Sequence, residues 1–323
     1  MALPSSPNSL SLNQIAGEFG GTVPHSLSEY YAGGGLTPSG ISGDSGAIPT
    51  SGEISIGQFY GSANRVTINL TISSNTTNYQ ISSSRGGTYS AGITDVILTN
   101  NAQVGSNSVG TAAIWTGPAA SWSAGDTITI VNNGAIRGRG GNGGAGMQNT
   151  GAGVQPGQAA GDSVELNYPV TVQNTAPGDL WAGGGGGGGG ARGSTVIAGQ
   201  PANPPSGPSK SPSPGQPGNP PSTQFFGGGG GGGGAGSQVG SGGTGANSQG
   251  QPGQAGSLTA GGAGGDSTGQ TNPNGGNGGG RGAAGQQGTG ASDGAGGAAG
   301  KAVEPNGNQL TLNNSGQVLG ATS

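Results

Sequence analysis

The sequence predicts a mainly β or irregular fold with short N-terminal helices, a small β domain and a polyglycine II sandwich flanked by β rungs. Three observations support this: repeated helix-capping motifs, alternating apolar and polar segments, and uneven glycine. Of 81 glycines, 20 lie in residues 1–137 and 61 in residues 138–323. The predicted divisions are residues 1–64, 65–136 and 137–323.

Composition limits how the chain can fold. Hydrophobic residues make up 28% and charged residues 6%, while glycine and proline number 81 and 21. So few large side chains cannot fill one conventional core over this length, so part of the chain is either unstructured or held by backbone hydrogen bonds.

Composition also excludes several functions. Without cysteine there is no disulfide or thiol nucleophile. Eight Lys and Arg, spread along a chain of net charge −4, argue against nucleic acid as a partner. No apolar run reaches membrane-spanning length, and the first residues do not resemble a signal peptide. We therefore expect no membrane insertion, no cofactor, and assembly in the cytoplasm of a host cell.

Three short helices are predicted before residue 64. Ser11–Gln14, Ser26–Glu29 and Ser55–Gln58 each place Glu or Gln three residues after Ser, which is the capping-box pattern. Helices this short need packing partners. Their aromatic residues either fill a self-contained cap or dock on a larger assembly, and the docking candidates are Phe19, Tyr30, Tyr31, Phe59 and Tyr60.

Residues 65–136 predict β structure. Arg65–Ile72 alternates apolar and polar residues, as a half-buried strand does. Further strands are expected at Thr94–Thr99, Thr111–Trp115 and Thr127–Val131. We expect Trp115 and Trp122 to fill the core of this region, with sugar stacking as the alternative role.

A second motif recurs on both sides of residue 137. Ile128–Asn132, Val170–Asn174 and Leu310–Asn314 all read aliphatic, Thr, aliphatic, any residue, Asn. A further aliphatic residue follows each, at Ile136, Leu180 and Val318 respectively. This repeat predicts three equivalent rungs lying side by side, with the C-terminus returning to where the glycine-rich region begins.

Two octaglycine runs, Gly183–Gly190 and Gly227–Gly234, dominate the second half. A polyglycine helix has three residues per turn and rises ~3.1 Å per residue, with its amides and carbonyls pointing outward to neighbouring helices. We expect the octaglycines to be interior helices and the Gly-Gly-X segments, such as Gly275–Gly280, to be outer ones. A disordered linker is the alternative. The scaffold glycines proposed are Gly183, Gly190, Gly227 and Gly234.

Loops between such helices are the predicted recognition elements, because a rigid scaffold commonly presents its binding residues on loops. The longest, Ala191–Phe226, is rich in Pro and Ser. The alternative for each loop is a solvated connector. The candidate receptor contacts are Arg192, Lys210, Gln224, Phe225, Phe226, Gln238, Asn247, Asn272 and Asn274.

Nothing in the sequence predicts an enzyme. The single histidine, His25, has no neighbouring cluster of carboxylates, and the acidic residues are scattered singly. The glycine runs lack the Gly-Lys-Ser/Thr ending of a phosphate loop. We therefore expect neither catalytic nor metal-binding residues.

Three segments resemble tailed-bacteriophage tail proteins. Ser9–Gly21 and Pro24–Gly34 are similar to the opening of many such proteins, and Gly300–Leu312 resembles the end of glycine-rich tail-tip proteins. The glycine-rich half resembles the tail-fibre tip adhesins of T-even-like phages. This resemblance implies a polyglycine sandwich whose variable loops contact the host surface.

The resulting hypothesis is a virion protein of the phage tail that binds a bacterial receptor, protein or glycan, through its loops. The N-terminal region would join it to other tail proteins. Two alternatives remain: a structural spacer in the tail tip or baseplate, and an ice-binding protein. Ice binding predicts a flat face with regularly spaced Thr or Ala.

Overall fold

A computed structural model describes residues 2–147, 153–191, 193–197, 222–226, 231–246, 250–267, 273–290 and 293–323, with only the backbone given for 193–197 and 222–226. Two α-helices, α1 and α2, span Leu12–Phe19 and Ile81–Ser84, and 3₁₀ helices span Leu27–Tyr30, Ile56–Phe59 and Ala119–Ser121. None of the helices in these ranges is both long and apolar enough to cross a bilayer.

Strands are the main regular structure. In chain order, strands β1 to β18 are Ser42–Gly43, Gly46–Ala47, Val66–Ile72, Thr76–Thr77, Tyr79–Gln80, Thr94–Asn100, Gln103–Gly105, Ile114–Trp115, Thr127–Asn132, Ala135–Arg137, Val164–Glu165, Val170–Asn174, Asp179–Trp181, Gly193–Ile197, Ser222–Phe226, Val303–Glu304, Leu310–Asn314 and Gln317–Leu319.

The N-terminal helices form as the capping motifs predict. Ser11 caps α1 in a capping box with Gln14, and α1 ends at Gly20, whose φ is 84°. Ser55 and Gln58 form the same box at the third helix. Ser26 caps the second helix through the amide of Ser28. The prediction of three short helices is therefore confirmed, and the predicted capping box forms at the first and third but not at the second.

Three parallel sheets run through most of the remaining strands. Sheet A contains β3, β6, β9, β12 and β17; sheet B contains β4, β7, β10, β13 and β18; sheet C contains β5, β8, β11 and β16. Successive strands of the chain pass from A to B to C and then return to A, so each circuit adds a coil to a β-solenoid. Its interior is filled by buried aliphatic side chains such as Leu98, Ile130, Val164 and Leu180.

The recurrent motif forms adjacent rungs, as predicted. In sheet A, Thr171 pairs with Thr129 on one side and with Thr311 on the other. In sheet B, Leu180 lies between Ile136 and Val318. The C-terminus therefore returns to the strands that precede the glycine-rich region.

Four asparagines at the corner after sheet A, three buried and the last exposed, bond to one another across the coils. The Asn100 amide donates to Asn132 at 2.8 Å, and Asn132 donates to Asn174 at 2.7 Å. Asn174 donates to Asn314 at 2.8 Å. This ladder satisfies polar groups at a buried turn and holds successive coils in register.

One predicted strand is shorter than expected, because the strand at Thr111–Trp115 is limited to Ile114–Trp115. The sequence did not predict how the strands pair, and all those at residues 66–132 pair in parallel with their neighbours in the solenoid. Sheets A, B and C also contain strands from both sides of residue 137. A domain boundary between residues 136 and 137 stays a prediction. The side-chain core of the solenoid contains strands from both sides of that position.

The glycine-rich region, here called the glycine stack, leaves the solenoid between sheets B and C. Its described part contains ten extended segments joined laterally by backbone hydrogen bonds in three layers. The middle layer contains 293–300, 182–191, 231–236 and 250–257. One outer layer contains 153–163, 138–147 and 239–246, and the other contains 283–290, 273–280 and 261–267.

The first octaglycine is bonded with a period of three residues. The amides of Gly183, Gly186 and Gly189 donate to segment 153–163, those of Gly184 and Gly187 to 231–236, and those of Gly185 and Gly188 to 283–290. Its carbonyls accept from segments 138–147, 273–280 and 293–300. This run is therefore surrounded by backbone on every side.

Close packing explains why these positions are glycine. A Cβ at Gly187 would lie 1.9 Å from the carbonyl oxygen of Gly276, and one at Gly234 would lie 1.8 Å from that of Gly184. In the outer segment 261–267, by contrast, the side chains of Ala263 and Asp266 are exposed. Close backbone contact thus excludes side chains from the octaglycine, whereas segment 261–267 carries them on its exposed face.

Candidate functional site

The glycine stack has two ends with different surroundings. At the base end, the turns near Ser237 and Arg281 contact the solenoid, and Arg281 donates to the Leu258 carbonyl of a third turn at 3.2 Å. The Ser106 amide donates to the Ser237 hydroxyl at 3.2 Å, and the Ser237 amide donates to Gly138 at 2.8 Å. The opposite end, here called the far end, carries Met147, Ala191, Ala246, Ser267 and Asn274.

Two arginines and a tryptophan connect the base end to sheet B. The Trp181 ring lies between the guanidinium groups of Arg281 at 3.3 Å and Arg137 at 4.3 Å. Arg137 pairs with Asp179 at 3.1 Å, and the Trp181 indole donates to Gln317 at 3.0 Å. Burial and, after it, the nearby charge of Arg137 lower the pKa of Arg281. This cluster orients the turn at 281–282 on the solenoid.

Hydrogen bonds fix the loop ends at the far end. The Ser267 amide donates to the Asn274 side chain at 3.0 Å, and the Asn274 amide donates to the Thr289 hydroxyl at 2.6 Å. The Met147 amide donates to Gly190 at 3.0 Å, and the Ala191 amide to Thr289 at 3.1 Å. Chain ends from several segments are thus held together at one place.

Strands β14 and β15 form an antiparallel pair of their own. β14 begins two residues after Ala191, and β15 ends five residues before Gly231. Gly193 pairs with Phe226, and Ile197 pairs with Ser222. In sequence, β14 comes after the stack segment 182–191 and β15 comes before the stack segment 231–236.

The predicted loop residues fall into three groups. Asn274 lies at the far end, and Gln224, Phe225 and Phe226 lie on β15, which connects to it. Gln238 is at the base end, beside Arg139, because the segment before it runs back towards the solenoid. Gln238 therefore does not lie with the far-end loops, and its contact with a receptor stays a prediction. Arg192, Lys210, Asn247 and Asn272 lie outside the described residues.

Three of the four predicted scaffold glycines lie among the described residues. Gly183, Gly190 and Gly234 all lie in the middle layer of the stack, where a Cβ would meet backbone atoms at 2.1 Å or less. Gly227 lies outside the described residues. The side chain of His25 contacts the Tyr30 hydroxyl at 3.4 Å, and no cluster of three metal-ligating side chains occurs in the part of the chain that the structure describes.

Burial corrects the set of N-terminal docking candidates. Phe59 packs edge-on against both Phe19 and Tyr30, at ring-centroid distances of 6.0 and 6.2 Å. These three side chains are buried and fill the core of their own region, so they cannot contact a partner directly. Tyr31 and Tyr60 are half-buried and retain an accessible surface.

The tryptophans of the solenoid differ in accessibility. Trp122 is buried, stacks against Tyr168 at 5.9 Å, and donates to the Thr116 carbonyl at 3.2 Å. It therefore fills the core, as one of its two predicted roles requires. Trp115 is half-buried on β8.

Sequence patterns missed one feature of this surface. Asn75, Thr77, Gln103 and Ser106 come from two coils of the solenoid, and Ser237 comes from a base turn, yet together they line one cleft. These residues are far apart in sequence and share no motif. The only available signal is the abundance of Ser, Thr, Asn and Gln in the coil corners.

Comparison with known proteins identifies the family. The profile of the family described as phage tail fibre adhesin Gp38 matches residues 66–323. Among solved structures, the gp37-gp38 adhesin tip complex of the bacteriophage S16 long tail fiber is similar to the chain, with 21% identity and a TM-score of 0.45 over 85% of this chain and 88% of that one. A TM-score at this level carries no structural argument.

No curated protein matches the chain significantly. The family match is decisive by itself, because it begins at the first residue of β3 and continues through the solenoid and the glycine stack to the C-terminus. The chain therefore belongs to the phage tail fibre adhesin Gp38 family.

Proposed function

We propose that this phage tail fibre adhesin recognises a bacterial surface receptor, protein or glycan, through loops at the far end of the glycine stack. The observation that carries the proposal is the convergence of loop ends there. Met147, Ala191, Ala246, Ser267 and Asn274 all lie at the end opposite the solenoid. Loops that start from a fixed base lose less conformational freedom on binding, which favours affinity.

The scaffold in this proposal is a polyglycine II sandwich. Two features support it: the period of three residues in the hydrogen bonds of Gly183–Gly189, and the absence of room for any Cβ in that run. Three residues per turn without internal hydrogen bonds is the geometry of a polyproline-type helix. Rigidity then comes from the backbone, which leaves the loop sequences free to vary.

Attachment to other tail proteins is assigned to residues 1–64. The family match starts after this region, at residue 66, so the region is an addition to the part that the family shares. With Phe19, Tyr30 and Phe59 buried, the accessible parts of Tyr31 and Tyr60 are the docking candidates that remain. We propose a non-enzymatic role in the virion tail, because the work assigned to the loops is reversible binding.

Shortening the far end tests receptor recognition. Residues 198–221 are replaced by a short Gly-Ser turn that joins β14 to β15, and binding of the purified full chain to host cells is measured. We expect at least a tenfold loss of binding, because the longest of the predicted recognition loops is shortened. Thr259→Ala, in an exposed base turn, is the matched control and is expected to bind normally.

Equal binding by the shortened and unaltered proteins would overturn the proposal and favour the spacer. Hydrogen exchange at Gly183–Gly189 is measured in parallel to show that the stack remains intact. Ice binding receives no support from the outer segments, whose side chains at Asn142, Ala145, Ala263 and Asn277 are not a regular series of Thr or Ala.

A further inference from the structure

A polar cleft lies where the base of the glycine stack meets the edge of sheet B. Its volume is about 370 Å³, within the usual range for small-molecule sites. It is separated from the far-end loops by the length of the stack. It therefore does not depend on the proposed function of those loops. Its lining residues are Asn75, Thr76, Thr77, Gln103, Gly105, Ser106, Ser237 and Gln238.

Gly105 forms the floor of this cleft. In sheet B it pairs with Thr77 on one side and with Arg137 on the other. A Cβ at Gly105 would lie 3.0 Å from Ser237 Cβ. Because Gly105 has no side chain, a gap is left between the side chains of Thr77 and Arg137, and the base turn can approach sheet B there.

Hydrogen bonds between the solenoid and the stack hold the two sides of the cleft together. The Ser106 amide donates to the Ser237 hydroxyl at 3.2 Å, and that hydroxyl donates to the Ser106 carbonyl at 3.2 Å. The Gln103 amide donates to the Asn75 side-chain oxygen at 3.0 Å. Sheet edge and turn are therefore held at a fixed separation.

Two arginines orient the glutamine side chains of the cleft. Arg137 donates to the Gln103 side-chain oxygen at 2.7 Å, and Arg139 donates to that of Gln238 at 3.4 Å. A guanidinium only donates, so it selects the oxygen of each amide and leaves the NH₂ group as the polar atom available to a ligand. The Asn75 oxygen is likewise occupied, so its NH₂ is also available.

The cleft thus offers three side-chain NH₂ donors together with hydroxyls that both donate and accept. No charged side chain is part of the lining. Thr76 and Thr77 make no hydrogen bond through their hydroxyls to any described residue. A ligand matched to this lining carries several closely spaced hydroxyls, fills a few hundred Å³ and needs no charge, because the charges of Arg137 and Arg139 are already directed to the lining amides.

We propose that this cleft binds a neutral hexose unit of a glycan. The planar amides match pairs of adjacent ring hydroxyls, and the threonine hydroxyls at the sheet edge complete the set. Such a site gives the adhesin a second, weaker contact with a carbohydrate at the base of the stack.

The test uses the full chain with the methyl glycosides of glucose, galactose and mannose, followed by saturation-transfer NMR. At least one glycoside is expected to receive saturation from the protein. Thr77→Val and Gln238→Met are each expected to weaken its binding about 3- to 10-fold, because each removes one hydrogen-bonding group. Thr67→Val, on an exposed strand position, and Gln251→Met, in the stack, are the matched controls and are expected to bind normally.

Absence of transfer to all three glycosides would overturn the proposal. Binding that is unchanged in both cleft variants would also overturn it. The variant with the shortened far end is expected to bind the glycoside normally while losing host cells. Loss of the glycoside in that variant alone would place the sugar at the far end and contradict this assignment.

Discussion

The β-solenoid and the glycine stack are stabilised in different ways within one chain. In the solenoid, buried aliphatic side chains such as Leu98 and Ile130 fill the interior, and Asn100, Asn132 and Asn174 bond across the coils. In the stack, Gly183–Gly189 use their backbone amides and carbonyls and bury no side chain. A core of side chains tolerates some changes of volume, whereas a core of backbone admits no Cβ at all.

This difference predicts the largest effect for glycine replacement in the interior of the stack. In Gly187→Ala the new Cβ would lie 1.9 Å from the Gly276 carbonyl oxygen, so neighbouring segments must separate. We expect a loss of at least about 3 kcal/mol in the free energy of unfolding, the upper part of the range for overpacking. Denaturant unfolding measures it.

Gly153→Ala is the matched control, since a Cβ there would meet nothing within 4 Å. It is expected to leave the free energy of unfolding within about 0.5 kcal/mol of the parent, as exposed substitutions do. Equal losses in the two variants would mean that close backbone packing is not what restricts these positions to glycine.

The asparagine ladder of the solenoid is expected to show the next largest effect. Asn132→Ala leaves the Asn100 and Asn174 side chains without one partner each inside the corner. A buried polar group left without its hydrogen-bond partner costs about 1–3 kcal/mol. We therefore expect the free energy of unfolding to fall by about 2 kcal/mol. Asn313→Ala, on an exposed position of β17, is the control in the same denaturation experiment. If the ladder did not stabilise the corner, Asn132→Ala and Asn313→Ala would lower the free energy of unfolding by the same small amount.

The junction between the two regions gives a smaller effect. Arg281→Met removes the charge above Trp181 but keeps an apolar side chain, so the cation–π contribution of about 0.5–2 kcal/mol is lost while packing remains. We expect faster hydrogen exchange in the turn at Gly280–Gly282 and little change in Gly183–Gly189. Unchanged exchange in the turn would show that the arginine does not hold it.

The smallest effect concerns the Arg65–Asp95 pair on the solenoid surface, which are 2.6 Å apart. The hydrogen bond from Arg65 holds the pKa of Asp95 below its usual value. The stabilisation is therefore present above the ordinary carboxyl pKa and is lost as the pH falls through the lowered value.

Asp95→Asn is expected to reduce the free energy of unfolding by no more than about 1 kcal/mol at neutral pH, because the pair is partly exposed. The loss relative to the parent should shrink as the pH falls into the acid range. Glu53→Gln, at an exposed position, is the control. A difference between parent and Asp95→Asn that grows on acidification would contradict this account.

Local sequence patterns predicted those features that rest on local chemistry. Serines three residues before Gln marked the first and third helices, and repeated Thr and Asn marked the rungs at residues 129, 171 and 311. The octaglycines were expected inside the glycine-rich region because only glycine fits among close backbones. Each of these signals lies within a few residues.

Features that depend on distant residues were not predictable in this way. Parallel pairing of β3 with β6 depends on the return of the chain through sheets B and C. The Asn100 rung was missed because Ile97 stands where the three recognised copies have Thr. The position of Gln238 at the base end was not predictable because a loop's sequence does not state the direction of the segment before it.

Hydrogen exchange at the amides of Gly183–Gly189 tests the central claim most directly, since each donates to a backbone carbonyl of a neighbouring segment. The account predicts protection of all seven, comparable to that of the buried strands β9 and β12. Exchange at the rate of a free chain would contradict it. The glycine runs would then be linkers, and the far-end loops would have no rigid support.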